Sequence, residues 1–114
     1  MATFDATIHP VAFAHMEGGL KTVYVTPYTE DFSFISSGDR VEFDALGSIS
    51  IGTVRRYDTL EELIETEGFA NVVPEADDAP HAIALLRTSP DWNAKAEGDK
   101  GVMALRVRWA KRKS

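Results

Sequence analysis

Gly18-Gly19-Leu20-Lys21-Thr22-Val23-Tyr24-Val25 is the stretch on which the reading of this chain turns. Paired glycines end helices because they accept left-handed dihedrals without a side-chain penalty. Val23, Tyr24 and Val25 are β-branched or aromatic and favour a strand. A helix therefore hands over to a strand here, with Lys21 at the junction. An ammonium in that place can reach across a cleft between the two elements. A solvated surface lysine is the alternative, because lysine is mostly exposed.

Working outward, residues 3–9 read as a first strand, and Pro10 suits the first turn of a short helix that Gly18-Gly19 closes. Leu20 to Thr26 reads as the second strand, ended by Pro27. Residues 27–37 read as a loop, with Phe32-Ser33-Phe34-Ile35 apolar enough to dip into the core. Ser36-Ser37-Gly38-Asp39 reads as a turn, Arg40 to Phe43 as a third strand and Ser48 to Tyr57 as a fourth. Gly52 inside the fourth strand marks a bulge. Thr59-Leu60-Glu61-Glu62 is a capping box that opens a helix, and Gly68 stops it. A further helix runs from Asp78 to Arg87, and Ser89-Pro90-Asp91-Trp92 starts a shorter turn or helix. Gly98-Asp99-Lys100-Gly101 reads as a tight turn. Val102 to Trp109 alternates cleanly, with Met103, Leu105, Val107 and Trp109 on one face.

The order β-α-β-β-β-α-α-β, with short hairpin connections, predicts an α+β fold. The expected form is a small mixed barrel of about five strands, largely antiparallel, with two to three helices over its openings. The 114 residues are read as one domain over 1–110 with a basic tail at 111–114.

Composition narrows the chemistry. With no cysteine, disulfides and thiolate metal sites are excluded. His9, His15 and His81 form no H-x-x-x-H pair, so neither a metal nor another cofactor is expected. Gly19, Lys21 and Thr22 share residue types with the end of a P-loop, but the glycine spacing is absent and the element order is reversed, which excludes nucleoside triphosphate hydrolysis. No apolar run approaches the ~20 residues of a membrane span. Met1-Ala2-Thr3-Phe4-Asp5 lacks the basic and apolar regions of a secretory signal, so a cytoplasmic protein without a membrane partner is expected. The net charge is −6, but Arg106, Arg108, Lys111, Arg112 and Lys113 put +5 in the last nine residues. The other seven Lys/Arg face eighteen Asp/Glu, a net −11 over residues 1–105. The basic end would attract a polyanion such as RNA, or simply solubilise the chain.

A lysine in a partly apolar pocket can have its pKa drawn from ~10.4 toward ~7–8, which makes it a base or nucleophile. Thr22, Tyr24 and Thr26 supply hydroxyls nearby. Glu62, Glu65 and Glu67 are the candidate carboxylates on the following helix, or else its solvated face.

Four motifs together resemble the ASCH domain, a branch of the PUA-like superfamily. They are Gly19-Leu20-Lys21-Thr22-Val23-Tyr24-Val25, Gly38-Asp39-Arg40-Val41-Glu42-Phe43, Thr59-Leu60-Glu61-Glu62-Leu63 and Gly101-Val102-Met103-Ala104-Leu105-Arg106-Val107, in family order. The resemblance implies a β-barrel with a cleft between barrel and helices, and a role with RNA or modified nucleosides. It implies ligand or single-stranded RNA binding through Gly19, Lys21, Thr22, Tyr24 and Thr26, with Arg106, Arg108, Lys111, Arg112 and Lys113 adding phosphate contacts. One branch resembles small amidohydrolases that deacetylate acetylcytidine. For that activity, or for a ribonuclease, the implied catalytic residues are Lys21, Tyr24 and Glu67. Tyr24 stands where that branch has threonine, and Thr26 where its motif has arginine.

Overall fold

A computed structural model describes residues 1–113, so the tail expected at 111–114 includes one residue, Ser114, outside the described chain. The strands are β1 (Thr3–Asp5), β2 (Val23–Pro27), β3 (Arg40–Phe43), β4 (Gly47–Tyr57) and β5 (Val102–Arg112). The helices are α1 (Pro10–Glu17), α2 (Leu60–Glu67), α3 (Phe69–Val72), α4 (Ala79–Arg87) and α5 (Ala94–Lys100). The strands form one sheet in the order β1-β3-β4-β5-β2, antiparallel except for the parallel pair β1/β3. The sheet curls into a half-barrel and leaves β1 and β2 as its two edges. The fold is thus α+β and barrel-like, as the sequence predicts.

Alternation along the central strands divides the core in two. Met103 and Leu105 point into the curl, where they pack with Phe13, Phe43, Ile49 and Ile51. Val102 and Ala104 point the other way and meet Val23, Val25, Leu60, Leu63 and Val72 beneath the helices. Each large side chain buried in this way contributes about 1.5–3 kcal/mol. Phe32 and Ile35 dip into the inner core as expected, whereas Phe34 between them is exposed.

Two register shifts bend the long β4/β5 pair. One follows Ile51, where Gly52 marks the expected bulge; the other lies between Ser50 and Ile51, where Ser50 faces Trp109 but Ile51 faces Val107. The second shift makes Arg108 the extra residue and breaks the alternation read from sequence. Ala110 therefore continues the inner face after Val107, and Trp109 turns outward, with the Arg40 guanidinium 5.7 Å from its ring centre. Where β4 starts, Gly47 (φ 153°) lies so close to β5 that a Cβ would sit 2.2 Å from the Lys111 carbonyl oxygen. The strand continues through Arg112, so Lys111 and Arg112 are rungs of the sheet opposite Ser48 and Gly47, not a tail. Lys113 is tied as well, its N–H donating to Leu46 O at 2.9 Å.

The helical layer is richer than expected, with five helices in place of two to three. Half of the expected capping box forms: Thr59 Oγ1 accepts from Glu62 N (3.1 Å), with no return bond to the Glu62 carboxylate among the described residues, and α4 is capped by Asp78 Oδ1 accepting from His81 N (2.9 Å). Residues 98–101, expected as a turn, instead lie in and just after α5, capped by Asn93 Oδ1 accepting from Ala96 N at 3.0 Å. Tertiary contacts hold this glycine-containing helix. Glu97 accepts from Arg87 Nε (2.9 Å) and from Trp92 Nε1 (2.7 Å), while Arg87 also bonds Glu61 on α2 (2.9 Å). One arginine so joins α2, α4 and α5.

Candidate functional site

The gap between the two sheet edges holds a cavity of about 200 Å³. Thr7, Ile8 and His9, just beyond β1, form one wall, and Tyr24 to Pro27 of β2 form another. Val72, Val73 and Glu75 after α3, Leu85 and Leu86 of α4, and Ser89, Asp91 and Trp92 complete it. The volume exceeds the ~150 Å³ of a cavity that takes benzene and falls short of the ~300 Å³ at which drug-sized sites begin. It suits one ring system of about the size of a base.

Lys21 stands in this wall because of how α1 ends. Gly18 caps the helix, and Gly19 turns the chain with φ 79°, a dihedral that glycine adopts freely. His15 O then accepts from both Leu20 N (2.9 Å) and Lys21 N (3.1 Å). The next residue is fixed from the other side, Thr22 N donating to Asn71 O at 2.9 Å. The side chain is consequently aimed under α3, where Nζ donates to Val72 O. Only 6% of Lys21 is exposed. Burial lowers its pKa to about 8, with the nearby Glu75 carboxylate opposing the shift.

Around it lie polar groups with little of their own bonding to do. The Tyr24 ring packs edge-on against Phe43, centres 5.3 Å apart. Its hydroxyl has no hydrogen-bond partner among the described residues and opens to the cavity. Burial, then the charge of Asp91, push its pKa up, so it stays a neutral donor. Thr26 Oγ1 donates to Pro27 O at 3.1 Å. Trp92 presents an indole to the cavity while its N–H is held by Glu97. Glu75 also lies 3.7 Å from His15 Nδ1.

The structure thus gathers Lys21, Tyr24 and Thr26 in one place and separates the other expected site residues from them. Gly19 and Thr22 position the lysine without lining the cavity. Glu67 is elsewhere: it accepts from the Tyr57 hydroxyl, approaches Arg55 at 3.7 Å and lines a separate depression of about 20 Å³ with Arg106. Glu62 and Glu65 are exposed on α2. The carboxylates at the cavity are Glu75 and Asp91 instead. Arg108 is at the bulge. Arg112 is bound to Glu17, its Nε 3.0 Å from the carboxylate, and lies over the Phe13 ring at 5.4 Å. Lys111 lies ~20 Å along the strand from the Leu105 rung that faces Tyr24, at ~3.3 Å per residue. The residues that sequence reading passed over, Glu75, Asp91 and Trp92, sit in loops between helices. A tryptophan outside any regular element, in Ser89-Pro90-Asp91-Trp92, was the available signal.

Two solved structures share this fold. The crystal structure of hypothetical protein PH0355 superposes with a TM-score of 0.86 at 20% identity, covering 97% of this chain and 100% of that one. The solution NMR structure of protein PF0455 from Pyrococcus furiosus gives 0.74 at 22% identity, covering 92% of this chain and 94% of that one. No protein-family model and no curated protein sequence matches the chain. Among the described residues no helix is long and apolar enough to cross a membrane, and no three His, Asp or Glu side chains converge as a metal-binding group.

Proposed function

We propose that this chain binds a nucleoside, free or as an unpaired base of RNA, in the cavity beside Lys21. One observation carries the reading: a buried ammonium, anchored by a single carbonyl, shares a base-sized cavity with an indole and an unpartnered phenol. An ammonium has three donors, so two remain for a guest. Stacking on an aromatic contributes about 1–3 kcal/mol per base. The resemblance to ASCH domains points to the same class of ligand. The cavity's own carboxylates, Glu75 and Asp91, disfavour phosphate inside it. The base therefore enters and any phosphate stays outside.

The test is titration of the folded protein with cytidine, acetylcytidine and uridine, followed by Trp92 fluorescence in a Trp109→Phe background. Saturable binding that Lys21→Ala weakens at least tenfold is the expected result. Absence of binding by all three nucleosides overturns the reading.

A hydrolytic activity at the same site is the second reading. What favours it is the lysine pKa near 8, the range of a general base or nucleophile at neutral pH. Release of acetate from acetylcytidine, lost in Lys21→Ala and kept in Glu67→Gln, is its expected signature. No turnover by the wild type leaves a binding protein.

A further inference from the structure

The free edge of β2 runs along the cavity, and its main chain carries a recognition element of its own. Val107 N donates to Thr22 O at one end of the β2/β5 ladder and Tyr28 N to Gly101 O at the other, both at 2.9 Å. In an antiparallel pair the residues that bond the neighbour alternate with residues whose N–H and C=O face away. Between those two fixed rungs, Tyr24 and Thr26 bond β5, while Val23, Val25 and Pro27 turn their peptide groups outward. No strand lies on that side, since β2 ends the sheet.

The three outward residues differ. Val23 does not line the cavity. Pro27 has no N–H, and its carbonyl takes the Thr26 hydroxyl. Val25 does line the cavity, keeps both groups and bonds nothing with them among the described residues. It is nevertheless 94% buried, being only 6% exposed. A buried peptide N–H without a partner is rare in folded proteins, and leaving one unsatisfied costs about 1–3 kcal/mol.

We propose that Val25 reads the ligand's ring edge through its main chain, and that the ligand is a planar heterocycle bearing a hydrogen-bond donor and an acceptor one atom apart. The amidine edge of cytosine and the lactam edge of uracil have this pattern. The acceptor takes the Val25 N–H and the donor gives to the Val25 carbonyl, so the ring docks like one added rung of sheet. The Lys21 ammonium and Tyr24 hydroxyl then face other atoms of the ring. This inference deepens the nucleoside-binding reading and rests on it.

The experiment uses the unaltered protein, labelled with 15N, titrated with cytidine and with cytidine dimethylated on its exocyclic amine. The expected result is that cytidine shifts the Val25 amide proton downfield and protects it from exchange. The dimethyl analogue, which has lost its donor, binds about tenfold more weakly, as loss of one buried hydrogen bond implies. Cytidine binding with the Val25 amide unmoved, or equal affinities for the two nucleosides, overturns the main-chain readout and leaves nucleoside binding standing. No binding of cytidine, uridine or acetylcytidine overturns both.

Discussion

The two ends of β5 bear opposite relations to their neighbours. At the Lys111–Arg112 end, the arginines are held by protein partners, although the buried Arg40 Nε has none. Arg112 is shared by Glu17 and the Phe13 ring, Arg40 donates to Ser48 at 3.0 Å and lies over Trp109, and the Lys113 N–H is bound to Leu46 O. At the other end, across β2, a lysine has one bond, a tyrosine hydroxyl none and a buried peptide none. Formal charge is concentrated at the first end and unmet bonding capacity at the second. Binding depends on the second quantity, because a satisfied charge has little left to offer a guest, whereas an unsatisfied buried group gains a full hydrogen bond.

The contrast can be broken experimentally, starting with the largest effect. Gly47→Ala forces a Cβ against the Lys111 carbonyl and the Phe13 ring. It should destabilise the protein by more than about 3 kcal/mol in urea unfolding, through backbone overpacking. A smaller loss would show that the tightly bonded end is looser than it looks.

Next is the pH response of Lys21. Its folded pKa, about 8, lies below the unfolded value of 10.5. Between those values the unfolded chain holds the extra proton, so wild-type stability rises with pH. Relative to Lys21→Met, the wild type should gain about 3 kcal/mol between pH 7 and pH 10.5, with groups common to both proteins cancelling. A flat difference would mean that the amine is hydrated. The same titration should weaken nucleoside affinity above pH 8, as the ammonium loses its charge.

Tyr24→Phe removes a hydroxyl without a protein partner. Stability should stay within about 0.5 kcal/mol, while nucleoside affinity falls about fivefold, measured by calorimetry. The smallest effect belongs to Arg112→Ala. It should lower the urea midpoint slightly and leave nucleoside affinity unchanged. Any loss of affinity there would reconnect the two ends.

Most of the architecture was legible before the structure, because it depends on local chemistry. Proline at a helix start, glycines at its end, a threonine cap and period-two strands each act over a few residues. Trp109 was misplaced because a bulge arises between strands, and alternation in one strand carries no trace of it. The helix over 94–100 was missed because Gly98 and Asp99 look like a turn, and only the Arg87–Glu97–Trp92 cluster, brought together by folding, overrides them. At the site, Lys21 was visible from its junction. Its carboxylate neighbours were not, since Glu75 and Asp91 follow and precede helices whose packing angle no local pattern encodes. Glu67 is the residue the resemblance implies, a glutamate at the end of the helix after the hairpin, and α2 carries it to Tyr57 instead.

Pro27 has a consequence for how copies of this protein meet one another. An open sheet edge invites another chain to add its own strand and begin a growing ribbon. Pro27 occupies a rung that faces outward, so it costs the sheet no bond, and with neither a free N–H nor a free carbonyl it offers an intruding strand nothing to grip. Only Val23 and Val25 then turn complete peptide groups outward, an edge two outward rungs long, too short to template self-assembly and long enough to admit a small molecule.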